Sequence, residues 1–444
     1  MRSKRLLMTC MLGLTPMGIS SAYALSLEES VAAAIDYSPE VLGQYARFQS
    51  VVRDQDEAQG FYLPQVNLYA AAGYEETRYS SGNKIAPDDR GLTRTEMGVK
   101  VSQLIFDGMK TSANIDRLGY EAESERLTLI ADAENVALDV VRVYLEYLKS
   151  QQILELSKRN VIDHETIYNN ILDRKKKGLS SNSDLAQIAA RVATAKSTLI
   201  SAQNNLYDQE AQFMRLVGLP TKELVTPVFD YSLLPPDLDI AINQAVENHP
   251  EIQAAILDIK AAREEVRREK GGYYPELKLE AYGNKNDNIG GVEGPEEDAR
   301  VMLTLDYDLF NGGSTNARVE SAAWRAEQAR SIRLRAERQV REGTTLAWNA
   351  YNMLDKQKQL LQQNVDAAKA AEDGYVQQFN VGRRSLLDVL DAKVEVFLAR
   401  KNYVNASYDH TLAAYRMFNA MGILTYALRV EHPEEWQTEK EKRG

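Results

Sequence analysis

The chain is almost without cysteine: its one thiol, Cys10, lies in an N-terminal apolar run. Histidine is scarce too, with four in 444 residues. Each absence excludes something. No disulfide framework is available, so stability has to come from packing. His164, His249, His410 and His432 show no metal-ligand spacing, so no metal is expected and they read as surface or interface side chains. There is no P-loop, no G-x-S-x-G motif and no cysteine nucleophile, so neither catalytic residues nor a cofactor is expected. Beyond the N-terminus no window of about 18 uncharged apolar residues occurs, which rules out a transmembrane helix. Basic residues are outnumbered, 53 to 64, for a net charge of −11 and a pI near 5.2. Nucleic acid needs a basic face and is not an expected partner.

The N-terminus has its own character. Arg2, Lys4 and Arg5 precede the run LLMTCMLGLTPMGI, and Ala22-Tyr23-Ala24 follows. A basic region, a short apolar region and small residues two apart make residues 1–24 a signal peptide cleaved after Ala24. Cleavage takes the net charge from −11 to −14 and removes Cys10. Leu7-Met8-Thr9-Cys10 lacks the small residue that precedes a lipidated cysteine, so no lipid anchor is expected. The mature chain is exported, acidic and free of disulfides.

The rest of the chain is duplicated. Tyr37-Ser38-Pro39-Glu40-Val41 returns 211 residues later as Asn248-His249-Pro250-Glu251-Ile252. Leu104-Ile105-Phe106-Asp107-Gly108 returns as Asp308-Leu309-Phe310-Asn311-Gly312, and Leu216-Val217-Gly218 as Ala420-Met421-Gly422, both at an offset of 204. A repeat this long is a duplicated half-molecule, not a solenoid unit. We assign 25–222 to the first half, 223–424 to the second and 425–444 to a tail.

Each half reads helix, strand, strand, very long helix, turn, helix. No proline falls between Pro87 and Pro220 or between Pro295 and Pro433. Val136, Val140, Val143 and Tyr147 keep the three-four spacing of a coiled-coil face. Long helices are expected over 108–173 and 313–379, each on the order of 100 Å. Shorter ones are expected over 27–61, 183–217, 238–272 and 386–421. Stacking 183–217 on 238–272 and 386–421 on 27–61 builds a curtain of four columns, belted at mid-height by the proline-rich link near 218–240.

Strands are expected near 65–74, 94–106, 276–284 and 299–310. Val301, Leu303, Leu305 and Tyr307 alternate with Met302, Thr304 and Asp306, and Val66, Leu68, Ala70, Ala72 and Tyr74 share one face of the first strand. Such runs suit a transmembrane barrel; a half-buried soluble sheet alternates in the same way. Four strands are too few to close, and open edges cannot face lipid. Two copies give eight strands and a filled lumen; three give twelve and a passage. The fold class expected is therefore an α+β membrane protein: a homotrimeric, twelve-stranded outer membrane barrel continued by a long α-helical barrel. Polar loops 79–93 and 284–298 are expected to face outside; Tyr62, Tyr273 and Tyr274 just below the strands suit either a membrane interface or ordinary packing.

The most informative stretch is QFNVGRRSLLDVLDA, from Gln378 to Ala392, with a fainter copy, RKKKGLSSNSDLAQ, earlier. Gly382 aligns with Gly178 and Asp388 with Asp184. Glycine suits the left-handed end of one helix and serine the cap of the next. Asp388 and Asp391, three apart, share a helix face.

On the duplicated architecture, Asn/His-Pro-Glu, Leu-Phe-Asp/Asn-Gly and this last stretch, residues 25 to about 424 resemble the TolC family, the outer membrane channels of tripartite efflux pumps and type I secretion systems. The resemblance implies a trimeric duct whose periplasmic tip opens when a periplasmic adaptor and an inner membrane transporter, here expected to be of ABC type, dock. It implies that Asp388 and Asp391 line the constriction, that Arg384 belongs to the gate network, and that Phe379 stands where a gate tyrosine is frequent. The first tip departs from this pattern: Lys175 takes the place of Phe379, Lys175-Lys176-Lys177 form a basic cluster, and Gln187 replaces the second aspartate. Physically, three protomers bring six carboxylates into one narrow ring, where like charges raise one another's pKa and attract cations. Arg383, Arg384 and the three lysines are expected to pair with acidic groups and hold the tip shut. The function expected is a passive exit duct for type I protein secretion. Small-molecule efflux is the alternative cargo class, and a soluble periplasmic coiled-coil scaffold is the alternative of another kind.

Overall fold

A computed structural model describes residues 25–78, 90–221 and 223–437; the signal peptide and most of the first polar loop lie outside them. In chain order the elements are α1 (Leu27–Tyr37), α2 (Pro39–Gly60), β1 (Gln65–Thr77), β2 (Arg90–Phe106), α3 (Lys110–Lys176), α4 (Asn182–Val217), α5 (Leu238–Asn248), α6 (Pro250–Lys270), β3 (Glu276–Asp287), β4 (Pro295–Asp306), α7 (Ser314–Asn380), α8 (Leu386–Ala420) and α9 (Leu424–Ala427). The two long helices, α3 and α7, have 67 residues each, or about 100 Å.

The helices expected over 27–61 and 238–272 are each two helices. Proline has no N–H to give the preceding turn and forces its predecessor out of the helical region. Ser38 (ψ 121°) and His249 (ψ 125°) are accordingly extended, with Pro39 and Pro250 opening the next helix. The breaks are capped: the Val41 N–H donates to Ser38 Oγ, and the Glu251 N–H to His249 Nδ1 at 3.3 Å.

The stacking also differs from expectation. α2 and α4 both pack on α3, while α6 and α8 both pack on α7 as well as on α3. α4 therefore stands under α1–α2, and α8 under α5–α6. A Cβ on Gly218 would sit 3.2 Å from the Tyr37 ring, and one on Gly422 only 2.6 Å from Pro250 Cδ. Short connections tie each short helix to the long helix of its own half, so each half completes its own column.

The four strands form one antiparallel sheet in the order β1-β2-β3-β4. Both hairpins run further than the apolar alternation suggested, and polar cross-strand contacts accompany the extension: Arg94 reaches Glu75 at 2.6 Å in the first, and Lys285 pairs with Glu297 at 2.7 Å in the second. β4 stops at Asp306, not at 310, because its partner begins at Glu276, directly after Pro275. At the base of the sheet Asp107 caps α3, accepting from the Thr111 N–H at 2.8 Å and from its hydroxyl at 2.6 Å. Gly108 (φ 70°) is required there twice over, since a Cβ would also lie 2.5 Å from the Gly271 carbonyl oxygen.

The main core lies at mid-height, around Leu129–Leu148 of α3. Leu27, Val31 and Ile35 of α1, Phe213 and Val217 of α4, and Tyr415 and Phe418 of α8 close on it, and the belt contributes Phe229, stacked on Phe418 at 5.1 Å. The Tyr144 hydroxyl lies 2.9 and 2.7 Å from the carbonyl oxygens of Leu25 and Val225, tying the start of the chain to the belt. The described part of the C-terminal segment packs back on the molecule: Leu424, Leu428 and Trp436 are buried in this core. Buried Glu134 holds it there, accepting from the N–H groups of Leu424 and Thr425 at 2.7 and 2.8 Å. His164 and His410 are not surface side chains either: both are buried, each on the packed face of its helix.

Two predictions follow from this core. Glu134→Ala strips three buried donors of their acceptor and is expected to cost ~2–3 kcal/mol; limited proteolysis should then cut the C-terminal segment faster than in the parent. His410, stacked on Tyr351 at 4.8 Å, has no hydrogen-bond partner on either ring nitrogen among the described residues, and its Nε2 lies 3.8 Å from Asp355. Burial, reinforced by Lys358 and opposed by Asp355, holds its pKa below the ordinary 6.5. The unfolded chain therefore binds the proton more readily, and this contribution to stability, complete above 6.5, declines as the pH falls below it. Thermal melts at pH 7.5 and 5.5 should separate more for the parent protein than for His410→Phe.

Candidate functional site at the helical tip and the sheet

Where α3 and α7 end, the two halves build the same turn. Gly178 and Gly382 both have φ 75° with open space where a Cβ would be, so glycine serves conformation there and not close approach. The Leu179 N–H returns to the Arg174 carbonyl at 2.8 Å, and the Arg383 N–H to that of Gln378 at 2.8 Å, closing each helix. Ser181 and Ser385 then open α4 and α8 with capping boxes completed by Asp184 and Asp388.

Within one chain each of the two aspartates expected at the constriction has its own partners. Asp388 accepts from the Ser385 hydroxyl at 2.8 Å and its N–H at 3.2 Å, with Arg384 Nη1 3.7 Å away. Those donors, the Ser385 hydroxyl first, hold its carboxyl below the usual 3.8 within the chain. The N–H and hydroxyl of Ser181 do the same for Asp184. Asp391 meets a partner that sequence reasoning missed: Arg191 Nη2 of α4 lies 2.6 Å from its Oδ1. No local spacing signals this pair, whose members are 200 residues apart.

Phe379 packs against the apolar plug of Ile171, Ile188, Leu386 and Leu390, with the Arg174 guanidinium 4.9 Å from its ring centroid. Arg384 lies over Tyr375 at 3.9 Å and donates to Gln378 at 3.0 Å. Of the basic cluster, Lys176 pairs with Asp173 at 3.3 Å. Lys175, Lys177 and Arg383 are exposed and make no ion pair among the described residues of the chain. A second omission lies just above the tip. Buried Glu372 of α7 binds Lys393 of α8 at 2.5 Å, and Lys393 reaches Asp163 of α3 at 3.6 Å. That cation ties three helices together.

At the other end the sheet is bare. Val66, Leu68, Val301 and Leu303 are 64–73% exposed on one face, and no helix is laid across either face among the described residues. The opposite face carries Lys100 on Glu280 at 2.8 Å, and the Tyr69 hydroxyl donating to Asn284 at 2.8 Å. A soluble sheet would need its apolar face covered, and this one is uncovered. No described helix is long and apolar enough to cross a membrane.

An uncovered amphipathic sheet on a rod of paired long helices defines an outer membrane channel subunit. The sequence profile of the outer membrane efflux protein family matches residues 32–219 and 241–423. The chain belongs to that family and is an outer membrane protein. It is 28% identical over 380 residues to the outer membrane efflux protein BepC of Brucella suis, covering 84% of this chain and 81% of BepC. It is 25% identical over 414 residues to the outer membrane protein TolC of Vibrio cholerae, covering 91% and 92%. The crystal structure of the outer membrane protein VceC from Vibrio cholerae superposes with a TM-score of 0.75 at 17% identity, covering 89% of this chain and 96% of VceC.

The capping boxes yield a test. Ser385→Ala is expected to cost ~1 kcal/mol and to raise amide exchange in the first turn of α8. Unchanged exchange there would mean that the cap does not order the tip.

Proposed function

We propose that three copies of this chain close one barrel and form a passive exit duct from the periplasm through the outer membrane, opened at the tip by a docking partner. The observation that carries this reading is the sheet, with an uncovered apolar face and two edge strands, β1 and β4, each lacking a neighbour on its outer side among the described residues. Edges are tolerated in hydrocarbon only when paired, which three copies achieve by setting β4 of one beside β1 of the next. The four columns likewise end in open flanks, α2–α4 on one side and α7 on the other. An inner membrane transporter of ABC type, joined to the duct through a periplasmic adaptor, would supply the energy. Asp388, Asp391 and Arg384 would form the constriction, with Phe379 and the glycine turns shaping it.

For cargo we infer a polypeptide exported by type I secretion, a reading supported by the family resemblance and the acidic composition of the chain. The second reading, small-molecule efflux, is favoured by the names of two relatives, the toluene efflux pump outer membrane protein TtgF and the pyoverdine export outer membrane protein OpmQ, both of Pseudomonas putida.

Deleting the gene and comparing culture supernatant, surface proteins and toxin sensitivity decides between them. We expect loss of a large secreted protein with drug susceptibility unchanged. Increased sensitivity to several toxic compounds with an intact secretome would transfer the assignment to efflux. Recovery of the protein in osmotic-shock fluid, or as a monomer in mild detergent, would overturn the duct itself.

A further inference from the structure

We propose that Arg191 sets the ionic selectivity of the closed tip by cancelling the charge of Asp391. The inference rests on the reading of Asp388 and Asp391 as constriction residues. Arg191 lies on α4, in the first half of the molecule, and its guanidinium crosses to Asp391 on α8, in the second, at 2.6 Å. The two helices otherwise meet through the plug of Ile188, Leu386 and Leu390, and the ion pair sits beside that plug in partly exposed surroundings. Neither member has another ionic partner among the described residues. Asp388 keeps its own arrangement: its carboxylate is engaged by the Ser385 cap, with Arg384 further off at 3.7 Å.

The duplication makes the device one-sided. At the 204-residue offset, the counterpart of Asp391 is Gln187 and that of Arg191 is Glu395. The reciprocal positions therefore cannot form a second ion pair, because they hold an amide and a carboxylate. Each protomer thus brings one compensated aspartate, Asp391, and one capped aspartate, Asp388, to the tip. A threefold ring built from them presents far less free negative charge than six bare carboxylates. Monovalent cations would be weakly favoured and multivalent cations poorly held while the pair is intact. A rearrangement that parts α4 from α8 would expose three aspartates at once. Charge rings of this type govern selectivity through the field they present to a desolvating ion.

The test uses the full-length trimer in planar lipid bilayers, with reversal potentials measured in a KCl gradient and block measured with lanthanum(III). Arg191→Gln is expected to raise the K+ to Cl− permeability ratio roughly threefold or more and to tighten lanthanum block about tenfold. Arg191→Lys should stay close to the parent, and Arg191→Gln combined with Asp391→Asn should fall back to it. Because Arg191 is partly exposed, trimer yield and melting temperature are expected to be unchanged, and the Lys variant controls for packing. If Asp391→Asn shifts selectivity in the parent background while Arg191→Gln shifts nothing, the proposal is wrong and the constriction reading survives. If neither substitution, nor Asp388→Asn, alters selectivity or block, the constriction reading falls and the proposal with it.

Discussion

An antiparallel sheet satisfies its inner strands and leaves its outer ones short of partners, and the architecture of this protein depends on that shortage. Within one chain β1 and β4 each use only one side of their backbone. The face carrying Val66, Leu68, Val301 and Leu303 is uncovered as well. In water such a surface invites aggregation; in hydrocarbon the open edges are untenable. Both problems vanish on ring closure with further copies. The helices below inherit that requirement, because a curtain hung from a closed barrel must itself close.

Mid-height packing makes the curtain one body. α3 runs through the core from the sheet to the tip, and α1, the end of α4, the belt and the C-terminal segment gather on its middle turns. Polar anchors at this level are few and well satisfied. Tyr144 reaches the backbone at Leu25 and Val225, and Glu134 accepts from Leu424 and Thr425. Each joins segments distant in sequence, where an unmet buried group would be costly. The tip is held differently, by caps, a small apolar plug and partly exposed ion pairs. Pairs of that kind are individually weak, about 0–1 kcal/mol. The waist is thus fastened firmly and the tip lightly.

Much of this was readable from residue order. The duplication, the long proline-free helices, the alternating strands and the glycine–serine turns are local patterns, and local patterns reflect backbone preferences and the period of burial. Local reading failed where two local rules competed. Helical periodicity ran straight through Pro39 and Pro250, but the ring and its missing N–H broke both helices. Polar residues near 284–298 suggested a longer loop, but the hairpin continues into them, accompanied by polar cross-strand contacts.

What residue order determined by itself was the set of rods, strands and turns, together with the family resemblance, since each depends on neighbours within a few turns of chain. Tertiary structure alone decided which column stands on which, how the C-terminal segment enters the core, and which cation meets which carboxylate at the tip. Arg191 and Asp391 meet only because α4 and α8 descend together beside α3, and no spacing along the chain encodes a contact that the packing of three helices creates.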